Sequence, residues 1–213
     1  MAHFITFEGI EGSGKTTQIA LAAGFLRRLG YSVVITREPG GCPIADSIRE
    51  ILLHPDNNAL VPRAELLLYA AARAQHVDQV IRPALQDGHL VLCDRYTDAT
   101  LAYQGYGRGL DLNLIEQLNA LACGDCRPDL TLVLDLPHDV GIARALQRNE
   151  IHDQVDEGRF EQEALDFHRR VRNGYLELAL KEPRRMQVIP AVGNAQQVAE
   201  RLSNCLEDFL GRD

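Results

Sequence analysis

The stretch that most constrains this chain is Gly9-Ile10-Glu11-Gly12-Ser13-Gly14-Lys15-Thr16. It has the form G-x-x-x-x-G-K-[ST] of a phosphate-binding loop. Phe4-Ile5-Thr6-Phe7 before it is strand-like. After it, Ile19, Ala22, Leu26 and Leu29 recur at helical spacing, and Gly30 supplies a stop. Strand, glycine loop and helix start are the three parts the chemistry needs. Glycines let backbone N–H groups close around phosphate oxygens, and the helix N-terminus adds unsatisfied donors and a partial positive charge. In that setting Lys15 reaches the β- and γ-phosphates, and the Thr16 hydroxyl ligates Mg²⁺. The plain alternative is a glycine turn that joins a strand to a helix by chance.

Strand-like runs recur at 3–7, 31–36, 89–93, 130–136 and 186–190, with helical patterns between them. This alternation predicts an α/β fold, a parallel sheet covered by helices on both faces. No repeat, low-complexity tract or linker divides the 213 residues, so one domain is expected. A net charge of -8 argues against a polynucleotide-binding face but not against a mononucleotide. No run approaches the ~18 apolar residues of a membrane span. The strand and loop begin so early that no signal peptide is expected, and the cytoplasm is the expected location. The five cysteines are scattered. Cys123 and Cys126 have C-x-x-C spacing, but no second pair completes a zinc site, so reduced thiols are expected.

Several stretches at strand ends carry chemistry. Thr36-Arg37-Glu38-Pro39-Gly40-Gly41 forces a shaped loop after the second strand, where ligands of open α/β sheets gather. A short helix over 44–53 turns Ile44, Ile48 and Ile51 inward and Arg49 away. Pro62 opens a longer helix to about residue 82, with an apolar stripe of Leu67, Ala70, Ala74, Val77 and Ile81. Tyr69, Arg73 and His76 lie roughly opposite. Tyr69 and Arg73 either sandwich and hydrogen-bond a base, or form a solvent-facing stack. Leu90 to Tyr96 delivers Asp94 and Arg95 at a strand end, the one suited to an Mg²⁺ shell and the other to phosphate. Asp135 is a rival for the metal role, but Pro137 suggests that it only ends a strand. Thr97 to Gly109 suits a substrate wall or a hinge. Helix 140–147 carries Arg144 and Arg148, and 149–159 is polar and long enough for a lid. His3, His76, His152 and His168 have no evident partner in sequence.

Taken together these motifs resemble the thymidylate kinase family. The matching pieces are FEGIEGSGKTT (7–17), TREPGG (36–41), Arg49, YAAAR (69–73), DRY (94–96), AYQGYGRG (102–109), RPDLTLVLD (127–135) and the lid with Arg159. They span nearly the whole chain in order. The resemblance implies a P-loop nucleoside-monophosphate-kinase fold, a five-stranded parallel sheet flanked by helices, with a lid at about 148–160. It implies transfer of the ATP γ-phosphoryl group to dTMP with Mg²⁺, and a homodimer. Gly9 to Thr17, including Ser13 and Thr17, would bind ATP together with Arg148. Tyr69 would stack on thymine, Arg73 would meet its O4, Thr100 would sit near N3, and Gln104 beside the base. Tyr103 would crowd the place of a ribose 2′-OH, and Glu11 would contact the sugar 3′-OH. Arg49 and Arg95, with Arg37 and Pro39 nearby, would hold the dTMP phosphate. Asp94 and Thr16 would organise the metal. Because no basic residue lies between the loop glycines, the lid would supply the catalytic Arg, Arg159 first and Arg148 second. A cis Glu38–Pro39 bond is also expected. The rivals are a kinase for another nucleoside monophosphate and a GTP-binding switch, and the N-K-x-D stretch that the latter needs is missing.

Overall fold

In a computed structural model the sheet has five strands: β1 (Phe4–Glu8), β2 (Val33–Arg37), β3 (Leu90–Asp94), β4 (Leu130–Asp135) and β5 (Met186–Pro190). The structure describes residues 2–152, 159–160 and 163–211, excepting the side chains of 145–146 and 148–152. The spatial order is β2-β3-β1-β4-β5, and every pairing is parallel. Each connection must therefore cross over a face, which is the work of the intervening helices. The five expected strands are all present, displaced by one or two residues at some ends.

The three central strands, β1, β3 and β4, are buried on both sides, whereas the edge strands β2 and β5 are partly exposed. On one face Ile5 and Phe7 pack with α1 (Lys15–Arg28) and α9 (Ala195–Leu210), through Ile19, Ala23, Leu26, Val198 and Leu202. On the other face Val133 packs with α3 (Pro62–His76), α6 (Leu112–Cys123) and α8 (Leu165–Lys181), through Leu66, Ile115, Val171 and Tyr175. The period-2 alternation of β1 sends Phe4, Thr6 and Glu8 to this second face. Two of those three are polar, so each needs a partner there. Thr6 Oγ1 lies 2.7 Å from Thr131 Oγ1, and Glu8 accepts from the Tyr175 hydroxyl at 2.7 Å.

Three helix expectations are corrected. In α2 (Pro43–Leu53), Ile44 and Ile51 are 57% and 47% exposed, and Ala45, Leu52 and Leu53 face inward instead. In α3, Leu67 is 52% exposed, while Glu65, Arg73 and His76 are buried. Val77 and Ile81 of the expected stripe are buried as expected, so the stripe fails at Leu67 and holds at its far end. The expected helix to residue 82 also breaks its spacing: a π turn at Val77–Ile81 precedes a short α4 (Arg82–Gln86). The stretch from Thr97 supplies part of a cavity wall through Thr100, Tyr103 and Gln104. It forms a single turn, α5 (Thr97–Thr100), and then a π turn, Leu101–Gly107, whose residues are nearly all buried. The helix expected at 140–147 runs as α7 (His138–His152) into the expected lid. Most of the rest of the lid lies outside the described residues. The five cysteines are free thiols.

Candidate active site

Parallel strands carry their C-terminal ends to one edge, and the register aligns them. Asp94 stands level with Phe7 of β1 and Arg37 of β2. The loops leaving these three strands enclose a cavity of about 620 Å³. Its lining brings together Glu11, Gly12, Gly14, Lys15, Thr16 and Thr17 from the glycine loop. It adds Arg37, Pro39, Arg49, Tyr69, Arg73, Asp94, Arg95, Thr100, Tyr103 and Gln104 from elements scattered through the sequence. Gly9, Ile10 and Ser13 belong to the same loop but lie behind its surface, with Ile10 and Ser13 buried. Every one of these residues was expected at the site from sequence.

The loop is shaped by backbone that only glycine adopts without strain. Gly12 has φ +68°, and a Cβ there would stand 2.0 Å from the Gly141 carbonyl oxygen at the start of α7. Gly14 caps α1 in the left-handed region. Lys15 is curled back, donating to the Gly9 and Ile10 carbonyls, each at 3.1 Å. Burial, together with the neighbouring Arg95 charge, pushes its pKa down to about 8. A phosphate between the loop amides would relieve both effects.

Arg95 also has positive φ, +66°, which is uncommon for a non-glycine residue. The flanking backbone holds it there. Arg95 N–H donates to the Phe7 carbonyl at 2.9 Å, and Tyr96 and Ala99 N–H both donate to Glu8 Oε1, at 2.8 and 3.2 Å. Burial and the nearby Asp98 carboxylate push the Glu8 pKa up to about 8. The Arg95 guanidinium lies over the Tyr103 ring, 4.7 Å from its centroid, and donates to Glu11 Oε1 at 3.0 Å. The Tyr103 hydroxyl donates to the same oxygen at 2.6 Å. Burial pushes the Glu11 carboxyl up, but Arg95, with help from His168 and Lys15, holds it well below the usual carboxylate range. Glu11 is therefore a fixed anion at the middle of the cavity.

The far end is built on Arg73. It is 2% exposed and donates to Glu38 Oε2 (2.7 Å), Asn119 Oδ1 (2.7 Å), Tyr96 O (2.9 Å) and Thr100 Oγ1 (3.0 Å). These bonds use four of its five N–H groups. The fifth is what remains for an acceptor in the cavity. His76 braces the same carboxylate, with Nδ1 3.0 Å from Glu38 Oε1 and Nε2 2.6 Å from Thr36 Oγ1. The Glu38–Pro39 peptide is cis, as expected, and Arg49 donates to the Pro39 carbonyl at 2.8 Å.

Metal chemistry can be tested on the donors themselves. Asp94 Oδ1 is buried without a hydrogen-bond partner, and Asp94 and Thr16 both line the cavity. Among the described residues no group of three or more His, Cys, Asp or Glu could hold a metal. One carboxylate and one hydroxyl suit Mg²⁺ that takes its other oxygens from water and phosphate. The rival Asp135 is paired with Arg172 at 2.7 and 2.9 Å and lies outside the cavity lining.

Of the two lid arginines only Arg159 has a described side chain, and it does not line the cavity. Arg159 is 7% exposed and donates to Glu65 Oε2 at 2.5 Å and to the Leu52 carbonyl at 3.0 Å, behind the cavity wall. The reason is electrostatic. Glu65 is fully buried and needs compensation, which Arg159 and Arg108 provide. The side chain of Arg148 lies outside the described residues. Arg144, singled out only as its helix neighbour, lines the cavity instead. Sequence reasoning gave no role to Glu38, Glu8 or Glu65, because their partners lie far along the chain. Their one signal was a carboxylate inside or beside an apolar run.

The family model for thymidylate kinase matches residues 7–202. The chain is 65% identical over 202 residues to a thymidylate kinase of Syntrophotalea carbinolica, covering 95% of this chain and 94% of that protein. It is 59% identical over 212 residues to one of Geobacter sulfurreducens, covering both in full. Among solved structures, the crystal structure of thymidylate kinase from Ehrlichia chaffeensis matches with a TM-score of 0.77 at 37% identity, covering 97% of this chain and 98% of that one.

Proposed function

This chain belongs to the thymidylate kinase family and phosphorylates dTMP to dTDP, and we propose a division of labour among its residues that follows from the cavity. The observation that carries it is a single cavity with a phosphate loop at one end, the Arg73 cluster at the other, and Arg95 between them. ATP lies with its phosphates in the loop of Gly9 to Thr17, where Lys15 straightens towards them. dTMP lies with its base between Tyr69 and the Arg73–Thr100–Gln104 edge. Tyr103 walls the sugar where a 2′-OH would project, and Glu11 meets the 3′-OH. Arg95 and Arg49 hold the acceptor phosphate, with Arg37 at the rim.

The acceptor is already an ionised phosphate, so the reaction asks for positioning and charge neutralisation rather than a strong base. Mg²⁺ held by Asp94 and Thr16 would supply positive charge to the donor phosphates. Lys15, Arg95 and Arg144 share the charge of the transferring group. Arg159, committed to Glu65, anchors the end of the lid. Arginines delivered to comparable transition states are worth ~10³–10⁵ in rate. Arg144→Ala is therefore expected to lower kcat at least about tenfold with little change in dTMP binding. If Arg159→Gln does this and Arg144→Ala does not, the two roles are exchanged.

The enzyme works in the cytoplasm as a homodimer. The apolar residues left exposed on α2 and α3 support the dimer, and no helix among the described residues is long and apolar enough to cross a membrane. The test of the whole reading is an acceptor panel of dTMP, dUMP, dGMP, AMP and CMP with ATP and magnesium. Formation of dTDP ahead of every other diphosphate is expected. Equal turnover of AMP or CMP would sink it.

A further inference from the structure

His168 lies in α8 with no exposed surface, and the reaction as described above makes no use of it. Its Nδ1 is 3.4 Å from Glu11 Oε2. Neither atom has a hydrogen bond among the described residues, although both are buried. The other oxygen of the carboxylate is engaged twice, by the Tyr103 hydroxyl at 2.6 Å and by Arg95 at 3.0 Å. Glu11 is thus gripped on its cavity side and faced, on its inner side, by one imidazole. An ionised carboxylate only accepts, and burying a donor and an acceptor apart costs more than letting them meet. A shift of about half an ångström brings 3.4 Å into hydrogen-bonding range.

The imidazole is well held for the task. Its ring meets Phe167 edge-on at 5.4 Å, and Phe167 packs against Tyr103 at 6.1 Å. The wall that places the Tyr103 hydroxyl on one oxygen therefore also places His168 beside the other. We infer that His168 is a positioning residue whose Nδ1–H donates to Glu11 Oε2. This bond fixes the plane of the carboxylate that Tyr103 and Arg95 share at the acceptor's sugar edge. It selects the tautomer with the proton on Nδ1. Without it, Glu11 is free to turn about its last side-chain bond and meets the acceptor's sugar less well, while Arg95 keeps its place through its bonds to the Gly9 carbonyl at 3.1 Å and the Tyr175 hydroxyl at 3.3 Å. The inference rests on the reading that Glu11 faces the sugar of the acceptor.

The test is a double-mutant cycle with steady-state kinetics. His168→Leu removes the donor and keeps an apolar side chain, whereas His168→Asn keeps an N–H near the position of Nδ1. The expected result is a KM for dTMP raised about tenfold by His168→Leu, with kcat and the KM for ATP within about threefold. His168→Asn recovers most of that loss. In a Glu11→Ala background, His168→Leu changes the KM for dTMP by less than about twofold, because the group it acts through is gone. A loss of equal size in both backgrounds, or an Asn variant as poor as the Leu variant, would overturn the inference. Thermal melts of each variant identify one that fails to fold, and the Asn variant still decides the matter if the Leu variant does. The underlying reading is tested separately by Glu11→Ala with dTMP and with 3′-deoxythymidine monophosphate. If that substitution costs both substrates equally, the sugar contact is wrong and the fault lies there, not with His168.

Discussion

Replacing Arg73 by Ala removes one partner of a buried ion pair. Arg73 and Glu38 are 2% and 4% exposed, with Nε and Oε2 2.7 Å apart. Burial works against the charge of Arg73, but the Glu38 carboxylate outweighs it and pushes the guanidinium pKa above its ordinary value. Removing one member of such a pair costs about 3–5 kcal/mol, chiefly because the other charge is stranded. Here the lower end applies, since His76 still faces Glu38 Oε1 at 3.0 Å. At about 3 kcal/mol, a chain of this size should lose about 6–12 °C in Tm. The chain has no Trp, so unfolding in urea is best followed by far-UV and near-UV circular dichroism together, whose coincidence also tests two-state behaviour. Adding Glu38→Gln should return about 1–2 kcal/mol, because it removes the stranded charge, and the pair should be non-additive by at least about 1 kcal/mol. Catalytically, the KM for dTMP should rise far more than kcat falls. An Arg73→Ala variant within about 1 kcal/mol of the parent, or strict additivity with Glu38→Gln, would refute the view that this pair holds the base end together.

Three further outcomes are expected. The Lys15 pKa of about 8 lies below its unfolded value of 10.5, so between those limits the unfolded chain holds a proton that the folded one lacks. The cost of burying Lys15 is therefore full below pH 8 and is relieved as pH rises towards 10.5. ATP restores the charge, so binding at pH 9 should take up about one proton from buffer and at pH 6.5 almost none through this group, measured by calorimetry in two buffers of different ionisation enthalpy. Gly12→Ala forces a Cβ to within 2.0 Å of the Gly141 carbonyl at a φ of +68°, so the KM for ATP should rise more than about tenfold, while direct dTMP binding changes by less than about threefold. Leu67→Glu places a charge among the exposed apolar residues of α2 and α3, and sedimentation velocity should find monomer where the parent gives dimer.

What could be read in advance was local. The glycine loop and the strand ends at Asp94 and Arg95 follow from neighbouring residues, and the parallel sheet from the alternation of strand and helix patterns, whereas the cis proline is implied by the family resemblance together with the tight loop. What could not be read depends on pairs far apart in sequence. Glu38 meets Arg73 across 35 residues, and Glu65 meets Arg159 across 94. A periodicity argument assumes that the buried face of a helix is its apolar face. In α3 that assumption holds only in part, since Leu66 and Ala72 are buried beside Glu65, Arg73 and His76, and the reason is physical. Glu65, Arg73 and His76 point inward because the interior they meet is itself polar, made of Glu38, Thr36, Gln104 and two arginines that satisfy them. Each charge costs less to bury beside its partner than alone, and turned outward these residues would leave the cavity without its donors. Leu67 on α3, like Ile44 and Ile51 on the adjoining α2, is left exposed. A helix that buries charges on one side and leaves Leu67 exposed on the other is stable when two surfaces are supplied at once, a polar site beneath and an apolar cover above. The exposed apolar residues of α2 and α3 therefore predict a second subunit over these helices. If Leu67→Glu left both the oligomeric state and the KM for dTMP unchanged, the exposed apolar face would need some other explanation.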